Sequence, residues 1–499
     1  MLHLPLALAS LLSAPVPSAP PAPAPSVKAV YESLRQVRHF RDTAVAPDGA
    51  RVAWSEKVAD GNGEEILGAI SVADLPAGKP RRLTAGKDGK ARREWGAAFS
   101  PDGRTIAFLS DAAARGQLQI WLAPAAGGPP RQLTRVKGQL DHLLWSADGK
   151  SIAFLFVEGS AQETGALVAY KPDSGVVQEE FEEQRIAVAD AKTGQVRQVS
   201  PADMYVYDYD WSPDGATFAA EAVKGSGTNN YWIAELYRVD AASGQTRSIL
   251  KPSLQIACPR FSPDGKFVAF IHGIMSDEGS TGGDVWSVAI DATSSRNLTP
   301  NMKWSARALF WTPSAELLFT ADADGGHGVA AVDFGQGTIR PLWSAADSLQ
   351  DFSMARQAPV SAAICSSFEK PAEVCAGPVG QWKPLTSANA KATAWWGKAR
   401  SLHWQSDGAA VQGWLLYPLA FDPARRYPMV VLVHGGPSSM QNPGWPDRWT
   451  ATLASQGYFV FLPNPRGSYG FGEAFVQGNV KDFGGGDLRD ILSGVDEVV

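Results

Sequence analysis

Along most of this chain apolar and polar positions alternate with a period of two, in short runs that stop at Gly, Pro or Asp, as half-buried strands do. From Ala46 onward one phrase keeps returning: APDGARVAW at Ala46, FSPDGRTIAF at Phe99, WSADGKSIAF at Trp145, WSPDGATFAA at Trp211, FSPDGKFVAF at Phe261 and a worn WTPSAELLF at Trp311. Each is an apolar or aromatic residue, a Pro-Asp-Gly type turn and an alternating strand. Pro presets the first turn dihedral and Gly takes the left-handed one, so Asp48, Asp102, Asp148, Asp214 and Asp264 read as side chains that close turns on their own backbone. A second phrase follows each of these, from ISVADLPAGKPRRLT to VAAVDFGQGTIRPLW, and supplies a strand, a Gly-bearing turn and a returning strand. A seventh copy, EVCAGPVGQWKPLT, follows a hairpin at Ala362 to Phe368 whose own first phrase is lost. Units of four short strands at a period of about 50 residues predict a mainly β chain, a seven-bladed β-propeller over residues 26–386. The third unit gains an insertion between Phe156 and Arg185 that ends in QEEFEEQ. Its carboxylates, Glu179 and Glu180 foremost, suit either a cationic group such as a peptide's amino terminus or a solvated hairpin edge.

After Thr386 the alternation changes character. Residues 387–398 are a polar linker, and residues 399–499 read as the opening of an α/β sheet. A hairpin turns at Ser406-Asp407-Gly408, a helix runs from Thr450 to Gln456 up to Gly457, a buried strand covers Tyr458 to Leu462, and a helix closes the chain with Asp487 near its start. Between them Met429 to Val433 is an uninterrupted apolar run that breaks at His434-Gly435-Gly436-Pro437. Such a run predicts a parallel strand buried on both faces, and two glycines at its carboxyl end let backbone approach a ligand. This is the expected rim of an active site.

Composition narrows the classes. The 499 residues are 44% hydrophobic with a net charge of −6, which gives no basic stripe for nucleic acid. Residues 1–25 hold an apolar core from Leu2 to Leu12, small residues at Ser13 and Ala14 and a Pro/Ala tract. They read as a secretory signal and linker, too short to span a bilayer, so the chain is expected to be periplasmic or secreted, with a cytoplasmic tail as the alternative. Of the cysteines Cys258, Cys365 and Cys375, the last two flank Phe368 to Pro371 symmetrically, either bridged across a hairpin or as two small buried thiols. No pair has metal-ligand spacing.

A propeller, then HGGP after a buried strand, then Asn464-Pro465-Arg466-Gly467-Ser468 and Phe483-Gly484-Gly485-Gly486-Asp487, together resemble the prolyl oligopeptidase family of serine peptidases, in its acylaminoacyl-peptidase and bacterial dipeptidyl-peptidase branch. Phe471 departs from the Tyr common there. The resemblance implies an α/β-hydrolase domain, an acyl-enzyme route, short peptides as substrates and no cofactor. It also implies a Ser-Asp-His triad built on a G-x-S-x-G elbow, and no such motif occurs in these residues. The triad is therefore expected beyond Val499 and this chain is expected to be inactive. An oxyanion hole needs two donors, one of them from the HGGP loop: the backbone amide of Gly436 first, or of Gly435. His434 and Pro437 are assigned to the rim, His434 with a structural or substrate-facing role, since no partner makes it a base. Arg466 is read as a structural cation paired with a carboxylate. The alternatives are a non-catalytic exported propeller scaffold and, more weakly, an esterase.

Overall fold

The computed structural model describes residues 24–59, 65–76, 78–84, 93–159, 183–225 and 228–499. The signal-like residues 1–23 and the acidic pair Glu179 and Glu180 lie outside them. Seven four-stranded antiparallel sheets follow one another at 40–82, 94–132, 138–198, 204–250, 255–297, 305–345 and 348–384, here called blades 1 to 7. The first repeated phrase joins strands one and two of a blade and the second joins strands three and four, so each blade is one contiguous piece of chain. The first strands of neighbouring blades pack against each other, which sets them around the axis. No strand is shared at the seam between blades 7 and 1. There Val45, Val52 and Trp54 pack on Ala355, Ala362 and Val374, and the Thr43 hydroxyl meets Ser353 Oγ at 2.8 Å.

The turn chemistry is as the sequence dictates. Asp48, Asp102, Asp148, Asp214 and Asp264 each accept the backbone N–H two residues on, at 2.9–3.1 Å. Gly49, Gly103, Gly149, Gly215 and Gly265 hold φ between 69° and 73°. In the worn sixth copy Ala315 takes this place at φ 60°, a conformation that costs an L-residue about 1–2 kcal/mol. Ala315→Gly is therefore expected to raise thermal stability by about 0.5–1 kcal/mol after the entropy of the added glycine is set against it. An unchanged or lowered melting temperature would refute this.

The remaining residues form a sheet in the order Ala399–Ser406, Ala409–Leu416, Phe459–Asn464, Met429–Val431, antiparallel except for the last pair. The apolar run is corrected here. Only Met429–Val431 pairs, on one side, its residues are half-buried, and Val433 is 50% exposed. Among the described residues its one hydrogen-bonded neighbour is Phe459–Asn464. Helix α1 (Val27–Arg35), which the alternation did not announce, sits at the start of the span read as propeller but packs on α2 (Arg448–Ser455). Val30 and Leu34 join Trp414, Ala451 and Leu462 in one core. Asp447 caps α2 by accepting from Trp449 N at 2.7 Å and Thr450 N at 3.1 Å. A short α3 (Glu473–Gln477) and the closing α4 (Gly486–Val498) complete the segment. Cys365 and Cys375, on adjacent strands of blade 7 with Cα atoms 6.2 Å apart, form a disulfide. No helix among the described residues is long and apolar enough to cross a membrane.

Candidate functional site

Beyond Val431 the chain leaves the sheet and runs through His434 to Pro437 over its carboxyl end. Gly436 has φ 132°, and a Cβ there would lie 2.7 Å from Ser438 N. A Cβ on Gly435 would meet nothing within 4 Å. Both glycines are exposed, and neither amide donates to any group among the described residues. Two free N–H groups on a turn fixed by glycine geometry are what an anion-stabilising site requires.

His434 holds this loop. His434 Nδ1 lies 2.9 Å from the Gly435 carbonyl, which can only accept, so Nδ1 carries the proton, and Nε2 lies 2.9 Å from the Ser468 hydroxyl, which also sits 2.6 Å from the Pro465 carbonyl. Burial holds the ring below its ordinary pKa of 6.5, against the opposing pull of the Gly435 carbonyl. The Nε2 contact with Ser468 ties the HGGP loop to the Asn464–Ser468 stretch. The arginine of that stretch is clamped. Arg466 Nε and Nη2 meet Asp490 Oδ2 and Oδ1 at 2.9 and 2.7 Å, and its backbone N–H donates to Oδ2 at 2.8 Å. Asp490, on α4, is fully buried.

The propeller covers the loop from blades 5 and 6. The Ser276 and Ser280 hydroxyls donate to the Ser438 carbonyl, and Tyr469 OH reaches the Ser280 and Ile274 carbonyls at 2.7 and 3.0 Å. Gly470 N donates to Ser305 Oγ and its carbonyl accepts from Asp324 N, both at 3.0 Å. Pro437 is half-buried beside these contacts.

The structure also shows carboxylates that the sequence reading passed over. Glu221, 5% exposed, faces Asp208 across its strand pair and lies within electrostatic range of Glu278. Burial first, then Asp208 and Glu278, push its pKa well above the ordinary 4.5. A single Glu in the apolar strand TFAAEAVK was the available signal. A raised folded pKa stabilises below the unfolded value, and that contribution is lost as pH rises through the folded one. Glu221→Gln is thus expected to melt higher than the parent by a margin that grows from pH 5 to pH 8; a margin that is flat or reversed in sign refutes the burial of an unpaired acid. Among the described residues no three His, Cys, Asp or Glu side chains are placed to hold a metal ion.

Comparison with known proteins adds the following. Residues 445–499 match the prolyl oligopeptidase family model. The uncharacterized peptidase YuxL of Bacillus subtilis is 25% identical over 94% of this chain and 75% of its own length. Dipeptidyl-peptidase 5 of Porphyromonas gingivalis is 26% identical over 89% of this chain and 71% of its own. Among solved structures, acylaminoacyl peptidase of Pyrococcus horikoshii superposes with a TM-score of 0.71 at 17% identity, over 94% of this chain and 72% of that one, and so shares the fold. Residues 445–499, which hold the clamped arginine, are thus similar to the prolyl oligopeptidase family, and the chain as a whole is similar to bacterial peptidases and shares the fold of acylaminoacyl peptidase.

Proposed function

We propose that this chain is the propeller and oxyanion-loop portion of a serine peptidase that hydrolyses short peptides through an acyl-enzyme. The observation that carries the reading is the pair of exposed, unpartnered amides at Gly435 and Gly436, on a loop roofed by blades 5 and 6. Gly436, held by its backbone geometry, is the first donor to a tetrahedral oxyanion, with Gly435 as the alternative and His434 and Pro437 shaping the rim. These residues contain no G-x-S-x-G elbow, so on this reading the nucleophile is not among them. The roof favours peptides thin enough to enter beside it over folded proteins. The Cys365–Cys375 bridge favours export, since disulfides persist in oxidising compartments.

The test is a pair of assays on dipeptidyl and acylaminoacyl nitroanilides. Residues 1–499 alone are expected to show no turnover sensitive to serine-directed inhibitors, and the complete coding sequence is expected to show it. Inhibitor-sensitive hydrolysis by the 499 residues would overturn the account of the missing nucleophile. Absence of hydrolysis by the complete product would overturn the peptidase reading itself.

A further inference from the structure

A second cavity of about 260 Å³ opens between blades 5 and 6 and the residues that follow Pro437, lined by Thr281, Arg307, Asp322, Ser439, Asn442 and Tyr469 among others. It is walled almost wholly by polar groups, which suits a polar or charged guest over an apolar side chain.

Its charged centre is built from behind. His327, 2% exposed, turns Nε2 to the Arg307 guanidinium, which can only donate, so Nε2 accepts and the proton sits on Nδ1, 3.2 Å from the Asp347 carbonyl and 3.4 Å from the Leu349 amide nitrogen. Arg307 Nη1 donates to that Nε2 at 2.6 Å and to Asp322 Oδ1 at 3.3 Å. Burial, the larger influence, keeps His327 below the ordinary histidine pKa, and Asp322 opposes this. A neutral ring is the form that can accept from a guanidinium. One corner of Arg307 is thus fixed by two buried side chains. Its Nε and Nη2 have no hydrogen-bond partner among the described residues, and its side chain is 38% exposed where that of Asp322 is 7%. A solute entering the cavity meets the cation, with the carboxylate set behind it.

We infer that this cavity is a carboxylate subsite, in which the free edge of Arg307 forks onto an anionic group of a short peptide while Asn442 and Ser439 offer further donors. An anchored planar guanidinium with two unused donors matches a carboxylate in shape and charge, and its geometry is prepaid by the Asp322 and His327 contacts. Ser439 and Asn442 follow the HGGP loop closely in the chain, so the cavity adjoins the segment that carries the loop. The inference rests on the peptidase reading for the identity of the guest. Its test is binding without turnover, so the two fail separately.

The experiment is calorimetric titration of the 499-residue chain with N-acetyl-glycyl-glycine and with its carboxamide. The acid is expected to bind about tenfold or more tighter than the amide, and less tightly as sodium chloride rises. Arg307→Gln is expected to erase the difference between acid and amide, and Arg307→Lys to keep part of it, with circular dichroism and melting temperature reporting that each variant folds. Equal affinity for acid and amide, discrimination that survives Arg307→Gln, preference for an amine such as glycinamide, or no acid binding at millimolar concentration would each overturn the inference.

Discussion

Replacing Asp490 with alanine is expected to destabilise the sheet-and-helix segment by about 3–5 kcal/mol. The carboxylate is fully buried and takes two side-chain donors and one backbone donor from Arg466, whose own side chain is only 16% exposed. Removing it leaves a largely buried guanidinium and an orphaned amide. Trp404 reports the event locally, since its Nε1 donates to the Asp490 carbonyl at 3.0 Å. Denaturant unfolding followed by total tryptophan fluorescence should show the loss. The double replacement Arg466→Met with Asp490→Leu should recover much of it, because a buried ion pair exchanged for apolar groups is often close to neutral. A single variant within 1 kcal/mol of the parent, on the order of an exposed pair, would show the clamp to be incidental.

In a polypeptide that carries these residues together with its nucleophile, Gly436→Ala is expected to lower kcat by about 10²–10³, the usual loss of one oxyanion donor, with KM little changed. Alanine at φ 132° is strained, and its Cβ would press on Ser438 N at 2.7 Å, so the amide must turn away. Gly435→Ala supplies the control: no atom stands within 4 Å of its Cβ, and a loss below about tenfold is expected. If the Gly435 variant loses as much as the Gly436 variant, the order of the two donors is wrong.

The ring was legible because its signal is local. A Pro-Asp-Gly type turn needs only its own residues to form, and seven four-stranded units at one period leave few architectures. Arg466 was legible as a type of interaction, since a guanidinium in a motif loop wants a carboxylate, but not as a pair. Asp490 stands 24 residues away on a helix whose docking no local pattern describes. The same limit hid α1, whose Val30 and Leu34 find their core more than 380 residues downstream at Trp414. Arg307 is unremarkable in sequence, and only the fold brings His327 and Asp322 behind it.

Helix α1 precedes blade 1 and the sheet follows blade 7, yet both belong to one core. The two passages between ring and core run side by side: Arg38 N donates to Asn389 Oδ1 at 2.7 Å, and Asn389 Nδ2 returns a bond to the Arg38 carbonyl at 2.9 Å. The whole ring is therefore an insertion with adjacent ends, a cassette that enters and leaves its host at one doorway. A loop of a few residues spans the same gap, so the host can in principle be expressed with the cassette deleted or exchanged for another ring without drawing its two halves apart.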